Sequence, residues 1–422
     1  MPLPSRVART ARVVLALLAV SVAAAGCGAE QSDDRPGARD RPATIRVPSD
    51  APTIQRAVDA ALPGDLVLVA PGVYKEGVSL RTRNVVLRGA DRDKVVIEGE
   101  FKRSNGITVT GAGSVVENLT VRNHLANGVL FTGVTDATLQ GAGAGGELYD
   151  PLDTAKFPPL KGFRGSYITA YNNALYGIYA FDARDGVIEH SYASGQADSG
   201  IYVGQCRPCN TTVRRNTVAH NAVGIELTNA SEKLTVEDNE VRRNRVGLTL
   251  NSNDLEALGP QRHALIRRNV IADNNEPSSP AQADGGFGIG IGIGGGVGNR
   301  IEDNTVTGNR STGLLLRDEQ GYPARDNAVR GNRVHTNGTD LVLAVAALRG
   351  NCFTDNGKPT TSPRTWPPSC GKEDQDALVT QGRGTPVTPP PGVSFRSVPP
   401  PPPQPQRPGH PEARPSAATG LP

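Results

Sequence analysis

Short apolar stretches recur along this chain with a two-residue alternation. GIYA (177–180), GIYV (200–203), GIEL (224–227), GLTL (247–250) and GLLL (313–316) each open on glycine and carry apolar residues at their second and fourth positions; GVLF (128–131) opens the same way. Strand side chains alternate between faces, so the second and fourth residues predict an inward pair and the third an outward position. The glycines at 177, 200, 224 and 247 lie 23, 24 and 23 residues apart. A polar signal runs in step with them. Asparagine recurs five residues before a second asparagine in NLTVRN (118–123), NTVAHN (216–221), NEVRRN (239–244), NVIADN (269–274), NTVTGN (304–309), NRVHTN (332–337) and NCFTDN (351–356). The longer later intervals coincide with insertions at 251–263 and 275–287.

A period near 23 residues with two or three short strands predicts a solenoid in which one period is one rung of a parallel β-helix. Rungs stack about 4.8 Å apart, so each strand pairs with its copies above and below. Asparagine at a fixed turn position then stacks as a ladder, its amide bonding to the copies on neighbouring rungs. Such ladders are architecture. At the N-terminal end, TIQRAVDAAL (53–62) places Ile54, Val58 and Ala61 at helical spacing before Pro63-Gly64. This predicts a short amphipathic helix that caps the first rung.

Composition agrees. With 49 Gly, 34 Pro and 4% aromatic residues, the core has to be built from Val, Ile, Leu and Ala in a turn-rich fold. The formal charge is +3 from 45 basic and 42 acidic residues, with both signs interspersed, and this sets nucleic-acid binding aside. Arg6, Arg9 and Arg12 precede an apolar run at 13–25 that is short for a bilayer span. The run ends in AAGC (24–27), which resembles the lipobox of bacterial lipoproteins. That resemblance implies lipidation of Cys27, a signal peptide at 1–26, a polar tether at 27–43 and an extracytoplasmic, membrane-anchored protein. The other reading is an ordinary secretory signal.

Export admits disulfides, and Cys206, Cys209, Cys352 and Cys370 allow three pairings. Cys206 and Cys209 fall in a turn between rungs with no helix after them. The expected arrangement is a local brace there, with free thiols or metal chemistry as alternatives. Residues 352–370 read as a cap stapled by Cys352 and Cys370. From 373 to 422 the chain is Pro-rich without apolar periodicity, and a disordered or polyproline-II-like tail is expected.

The Asn/Gly repeats and the 53–75 segment resemble right-handed parallel β-helix proteins, a superfamily that includes pectin-active enzymes, alginate epimerases and NosD-like periplasmic proteins. The likeness covers roughly 44–356. It implies an all-β, right-handed parallel β-helix with a capping helix, spanning 44–372 with the disulfide cap. It also implies a site on an outward sheet face, walled by inserted loops such as 140–165. The outward column reads Tyr179, Tyr202, Glu226, Thr249, with Asp182, Gln205, Asn229 and Ser252 one step beyond the strands. Phenol faces beside amides and carboxylates suit a polysaccharide. Tyr179, Tyr202, Gln205 and Asn229 are therefore the candidate sugar contacts. Asp182, Asp185, Asp198 and Glu226 form the pool for a two-carboxylate mechanism.

The run 176–203 resembles the coil of alginate C5-epimerases, where Tyr176 and Gly177 match. Tyr179, Ala180 and Phe181 replace that family's Asp-Pro-His, which argues against epimerisation. The pectin methylesterase and polygalacturonase motifs are absent. The six histidines are scattered, so no metal and no cofactor are expected. The resulting expectation is a monomeric exported lipoprotein that binds, or binds and processes, extracellular or cell-wall polysaccharide. A polysaccharide lyase or glycoside hydrolase and a non-catalytic NosD-like structural or maturation lipoprotein are the rivals.

Overall fold

A computed structural model describes residues 43–140, 152–364, 369–371 and 378–413. The proposed signal, Cys27 and most of the tether lie outside the described residues. Among those described, the chain is an all-β solenoid of two parallel sheets, one of 20 strands and one of 11. A typical rung gives two strands to the larger sheet and one to the smaller. Thr211–Arg214, Thr217–Ala219 and Val223–Ala230 form one rung, and Leu234–Glu237, Glu240–Arg242 and Val246–Asn251 the next.

The register follows the alternation. In the smaller sheet Ile178, Ile201, Ile225, Leu248, Ile291, Leu314 and Leu341 stack in one inward column. All are buried in the single main core, which runs the length of the solenoid. A glycine precedes each of the first six and lets the rungs approach closely. A Cβ at Gly224 would stand 2.5 Å from the Gly247 carbonyl oxygen.

Most of the repeated asparagines form the expected ladders, whereas Asn118 and Asn123 donate to the Gly89 carbonyl and Glu98 Oε1 instead. Asn216, Asn239, Asn269, Asn304, Asn332 and Asn356 make one, each Nδ2 donating to the next Oδ1 at 2.9–3.0 Å. Asn221, Asn244, Asn274, Asn309 and Asn337 make a second at 2.9–3.2 Å. A third joins Gln261, Asn299, Asn327 and Asn351, so the last repeat, NCFTDN, sits out of step: its first asparagine ends this ladder and its second ends the first one. The side chains point into the turns and satisfy buried backbone groups there.

The predicted cap is present as a helix at Ile54–Ala60. Thr53 Oγ1 accepts from Arg56 N at 3.1 Å, and the Glu76 carboxylate accepts from Ile54 N and Gln55 N at 3.0 Å. Cys206 is bonded to Cys209, and Cys352 to Cys370. The insertions at 251–263 and 275–287 leave the rungs between strands, as their spacing implied.

One expectation changes. The loop expected at 140–165 ends earlier, because Leu160–Tyr171 is a strand (residues 141–151 lie outside the described ones). The Pro-rich segment is largely irregular over its described residues, as a disordered or polyproline-II-like tail would be. Residues 378–413 lie against the solenoid, with Val398 buried and Pro405 and Pro411 carbonyls bonded to Arg92 and Arg88.

Candidate functional site

The outward column of the smaller sheet is in register as read: Tyr179 pairs with Tyr202, Tyr202 with Glu226, Glu226 with Thr249, Thr249 with Gly292 and Gly292 with Leu315. The column changes character along its length. From Glu226 onward it floors a small, open cleft of about 110 Å³. Gln282, Asp284 and Gly286 of the second insertion form one wall, and Asn251, Gly294 and Arg317 line the strand ends opposite. Gly292 gives the cleft depth, since a Cβ there would meet nothing closer than 3.8 Å. Thr249 Oγ1 has no hydrogen-bond partner among the described residues. Arg317 pairs with Glu319 at 2.5 Å.

At one end of the cleft stands a carboxyl pair. Ser199 Oγ lies 3.2 Å from Asp198 Oδ1 and also contacts Glu226 Oε2. The two carboxyl oxygens are thus at most about 6 Å apart, which leaves no room for the wider spacing of inverting glycosidases. One hydroxyl carries one proton. Both contacts are hydrogen bonds only if one carboxyl is itself protonated and donates to Ser199. Electrostatics point the same way. Burial raises the Glu226 pKa and the Asp198 charge raises it further; burial raises Asp198 too, with Asp284 adding to it. Among the described residues no lysine or arginine pairs with either group. The pair therefore holds a proton well above the ordinary carboxylate range, as a shared acid/base unit does.

The other candidates fall elsewhere. Tyr202 is 2% exposed and Tyr179 8%. Their rings pack with Tyr176 and with each other at centroid distances of 4.5–4.9 Å, and the Tyr202 hydroxyl donates to Glu256 Oε1 at 2.5 Å. They form a buried aromatic cluster and offer no open face to a sugar. Gln205 and Asn229, also buried, hold the first insertion down. Gln205 Oε1 accepts from Ala257 N at 2.9 Å, and Asn229 Nδ2 reaches the carbonyls of Asn253 and Glu256 at 2.7 and 2.8 Å. Asp185 accepts from Asn210 Nδ2 at 2.8 Å and pairs with Arg184, beside the larger sheet. Of the four carboxylates in the pool, the structure joins Asp198 and Glu226 and leaves Asp182 and Asp185 out.

Asp182 is 1% exposed, with Oδ2 unpartnered among the described residues. Burial pushes its carboxyl up to about 7. The folded chain then holds this proton more tightly than the unfolded one. The stabilisation is full below the ordinary aspartate range and is lost as pH rises toward about 7. Asp182→Asn is expected to flatten the fall of Tm between about pH 4 and 7. An unaltered slope in calorimetric scans would count against the buried acid.

Sequence reasoning missed Glu256, Gln282, Asp284 and Arg317. The only available signal for the first three was that insertions interrupting a strict repeat have to go somewhere, and here they wall the smaller sheet.

The family model described as "Right handed beta helix region" matches residues 105–258 and 252–361, and the chain belongs to that family. No curated protein matches the chain. Similar solved structures include the Dettilon tailspike protein, at 12% identity over 74% of this chain and 66% of that one, TM-score 0.49. The A-module of the Azotobacter vinelandii mannuronan C-5 epimerase AlgE4 matches at 14% identity over 75% and 94%, TM-score 0.38. Pectate lyase Pel9A matches at 14% over 70% and 74%, TM-score 0.37.

Proposed function

We propose that this chain is an exported, lipid-anchored β-helix protein that binds an extracellular or cell-wall polysaccharide in the cleft from Glu226 to Leu315. In this reading Asp198 and Glu226 act on the bound glycan as a proton-sharing acid/base pair. The observation that carries it is the single Ser199 hydroxyl held between two half-buried carboxyl groups at the mouth of a walled cleft. A polymer laid along the column meets equivalent positions on successive rungs. Thr249, Asn251, Gln282 and Asp284 supply donors and acceptors for its hydroxyls. Two carboxyls this close, one protonated, can serve as the acid and the nucleophile of retaining hydrolysis. The anchor rests on the Arg6/Arg9/Arg12 region, the 13–25 run and Cys27.

The test is a panel of neutral, amino and uronate polysaccharides offered to the full chain. Binding is measured together with new reducing ends and unsaturated products. Hydrolysis is expected to yield reducing ends without unsaturation, and unsaturated ends would replace hydrolysis by a lyase reaction. Binding without turnover would leave a glycan-binding protein, and neither across the panel would end the carbohydrate reading. In cells, Cys27→Ser is expected to move the protein out of the membrane fraction.

A further inference from the structure

The Pro-rich segment runs back along the solenoid, from the last rungs toward the first. Gly382 N donates to the Leu343 carbonyl at 2.8 Å, Thr385 N to Ser311 at 3.1 Å and Val393 N to Ser279 at 3.1 Å. Farther along, Asn172 Nδ2 donates to the Val398 carbonyl at 3.0 Å and Arg92 Nη1 to Pro405 at 2.8 Å. Proline explains why such a segment lies on another surface. It has no N–H, so a Pro-rich chain cannot pair its own carbonyls and leaves them as acceptors for others.

Part of this strap rests on the wall of the cleft. Ser279, which accepts from Val393, belongs to the insertion that carries Gln282 and Asp284. At Gly392 the strap backbone lies flat on the same loop, where a Cβ would stand 2.3 Å from Ala281 N. The third link runs through Arg245. This residue is 2% exposed, and its Nη2 donates to the Pro390 carbonyl at 2.5 Å. Its guanidinium also lies 4.9 Å from the ring centroid of Phe287, just before the loop rejoins the sheet at Ile289. Its Nε and Nη1 have no hydrogen-bond partner among the described residues. A buried guanidinium needs its few acceptors, and the one it has belongs to the strap.

We propose that the C-terminal strap is a latch for the cleft wall. Arg245 is the positioning residue that couples Pro390 of the strap to Phe287 of the loop, and the 275–288 segment keeps its place over the floor only while the strap is seated. For its meaning in binding, the latch rests on the cleft reading. As a device of the fold it stands without it.

Amide hydrogen exchange on the full chain tests the latch without any glycan. Arg245→Met keeps an apolar side chain against Phe287 and removes the donor; Gly392→Val sets a side chain against the Ala281 backbone. Both are expected to speed exchange across 276–288 by about 10- to 100-fold, the value of one hydrogen bond from a charged donor. Exchange in the ladder segments 216–221 and 239–244 should stay at wild-type rates. Two results would overturn the proposal. In one, Gly392→Val frees the strap amides of 385–398 while 276–288 stays protected. In the other, exchange rises evenly over all rungs in both variants, which makes the strap a general brace. A chain that binds no polysaccharide yet shows the local response keeps the latch and loses only the glycan.

Discussion

Replacing Asn244 with alanine is expected to lower stability by about 3–6 kcal/mol, at the upper end of single-residue effects. Asn244 is fully buried in the middle of its ladder. Its Oδ1 accepts from Asn221 N at 3.0 Å and Asn221 Nδ2 at 2.9 Å, and its Nδ2 donates to the Val218 carbonyl and Asn274 Oδ1, each at 3.0 Å. Alanine removes these four, and a longer contact from Nδ2 to the Arg242 carbonyl at 3.2 Å, while the backbone around them stays dry. Each buried group left without a partner costs about 1–3 kcal/mol. Partial relaxation of the turn keeps the total below the simple sum. Asn356, at the end of the other ladder, offers a control. It accepts from Asn332 N and Nδ2 at 3.1 and 2.9 Å and donates to the Val329 carbonyl, and it is 6% exposed. Asn356→Ala should cost roughly half as much, because fewer buried groups lose their partners. Urea unfolding of both variants checks the order, with amide exchange near 218–221 reporting the local effect. A mid-ladder cost under about 1 kcal/mol would mean that the asparagines decorate the turns without holding them.

The ladders were legible because they repeat one residue type at one spacing, and stacking rungs demand identical chemistry at each copy. The inward columns were legible for the same reason, and with them the register that sets Tyr202 beside Glu226. What the repeats hid was whatever breaks them. Tyr179 and Tyr202 stand in the outward column as read. Whether an outward tyrosine meets water or another side chain depends on what lies over it. Here Tyr176 packs on both rings, and Glu256 of the first insertion takes the Tyr202 hydroxyl. No periodicity announces where such a loop lands. The same holds for Gln205 and Asn229, which look like free amides until the carbonyls of Asn253 and Glu256 arrive.

The seating of the strap was illegible for a related reason. Its composition shows that it lacks a core of its own and says nothing of what it lies on. Its carbonyls find buried donors on Arg245 and Arg92, 145 and 313 residues away in sequence. Local pattern cannot reach that far. The carboxyl pair lies between these extremes. Asp198 and Glu226 were both named from the sequence. Their selection from a pool of four needed the geometry of Ser199, which depends on how one strand enters its rung.

Glu226→Gln and Asp198→Asn are each expected to lower turnover of a processed polysaccharide by about 10²–10⁴, the worth of a positioned acid or base, while binding changes only a few-fold. Both substitutions keep shape and hydrogen bonding and remove one titrating group. Their pH profiles separate the roles. In the wild type the pair holds its proton above the ordinary carboxylate range, so activity persists where one carboxyl is charged and one neutral, and falls as pH rises and the second proton leaves. Burial is the first cause of the raised Glu226 pKa, and the Asp198 charge the next. Asp198→Asn removes that charge and leaves the burial. Glu226 should then titrate at lower pH than in the wild type, and the alkaline limb of any residual activity should move the same way. Carboxyl-detected NMR of the full chain reads this shift with or without substrate. A Glu226 titration that stays put in Asp198→Asn would show two carboxyl groups that are neighbours without being coupled, and the acid/base reading would fail with it. Full turnover in both variants, with product still forming, would place the chemistry elsewhere in the cleft. A downward shift joined to lost turnover and retained binding is the outcome that only a proton-sharing pair at the mouth of this cleft produces.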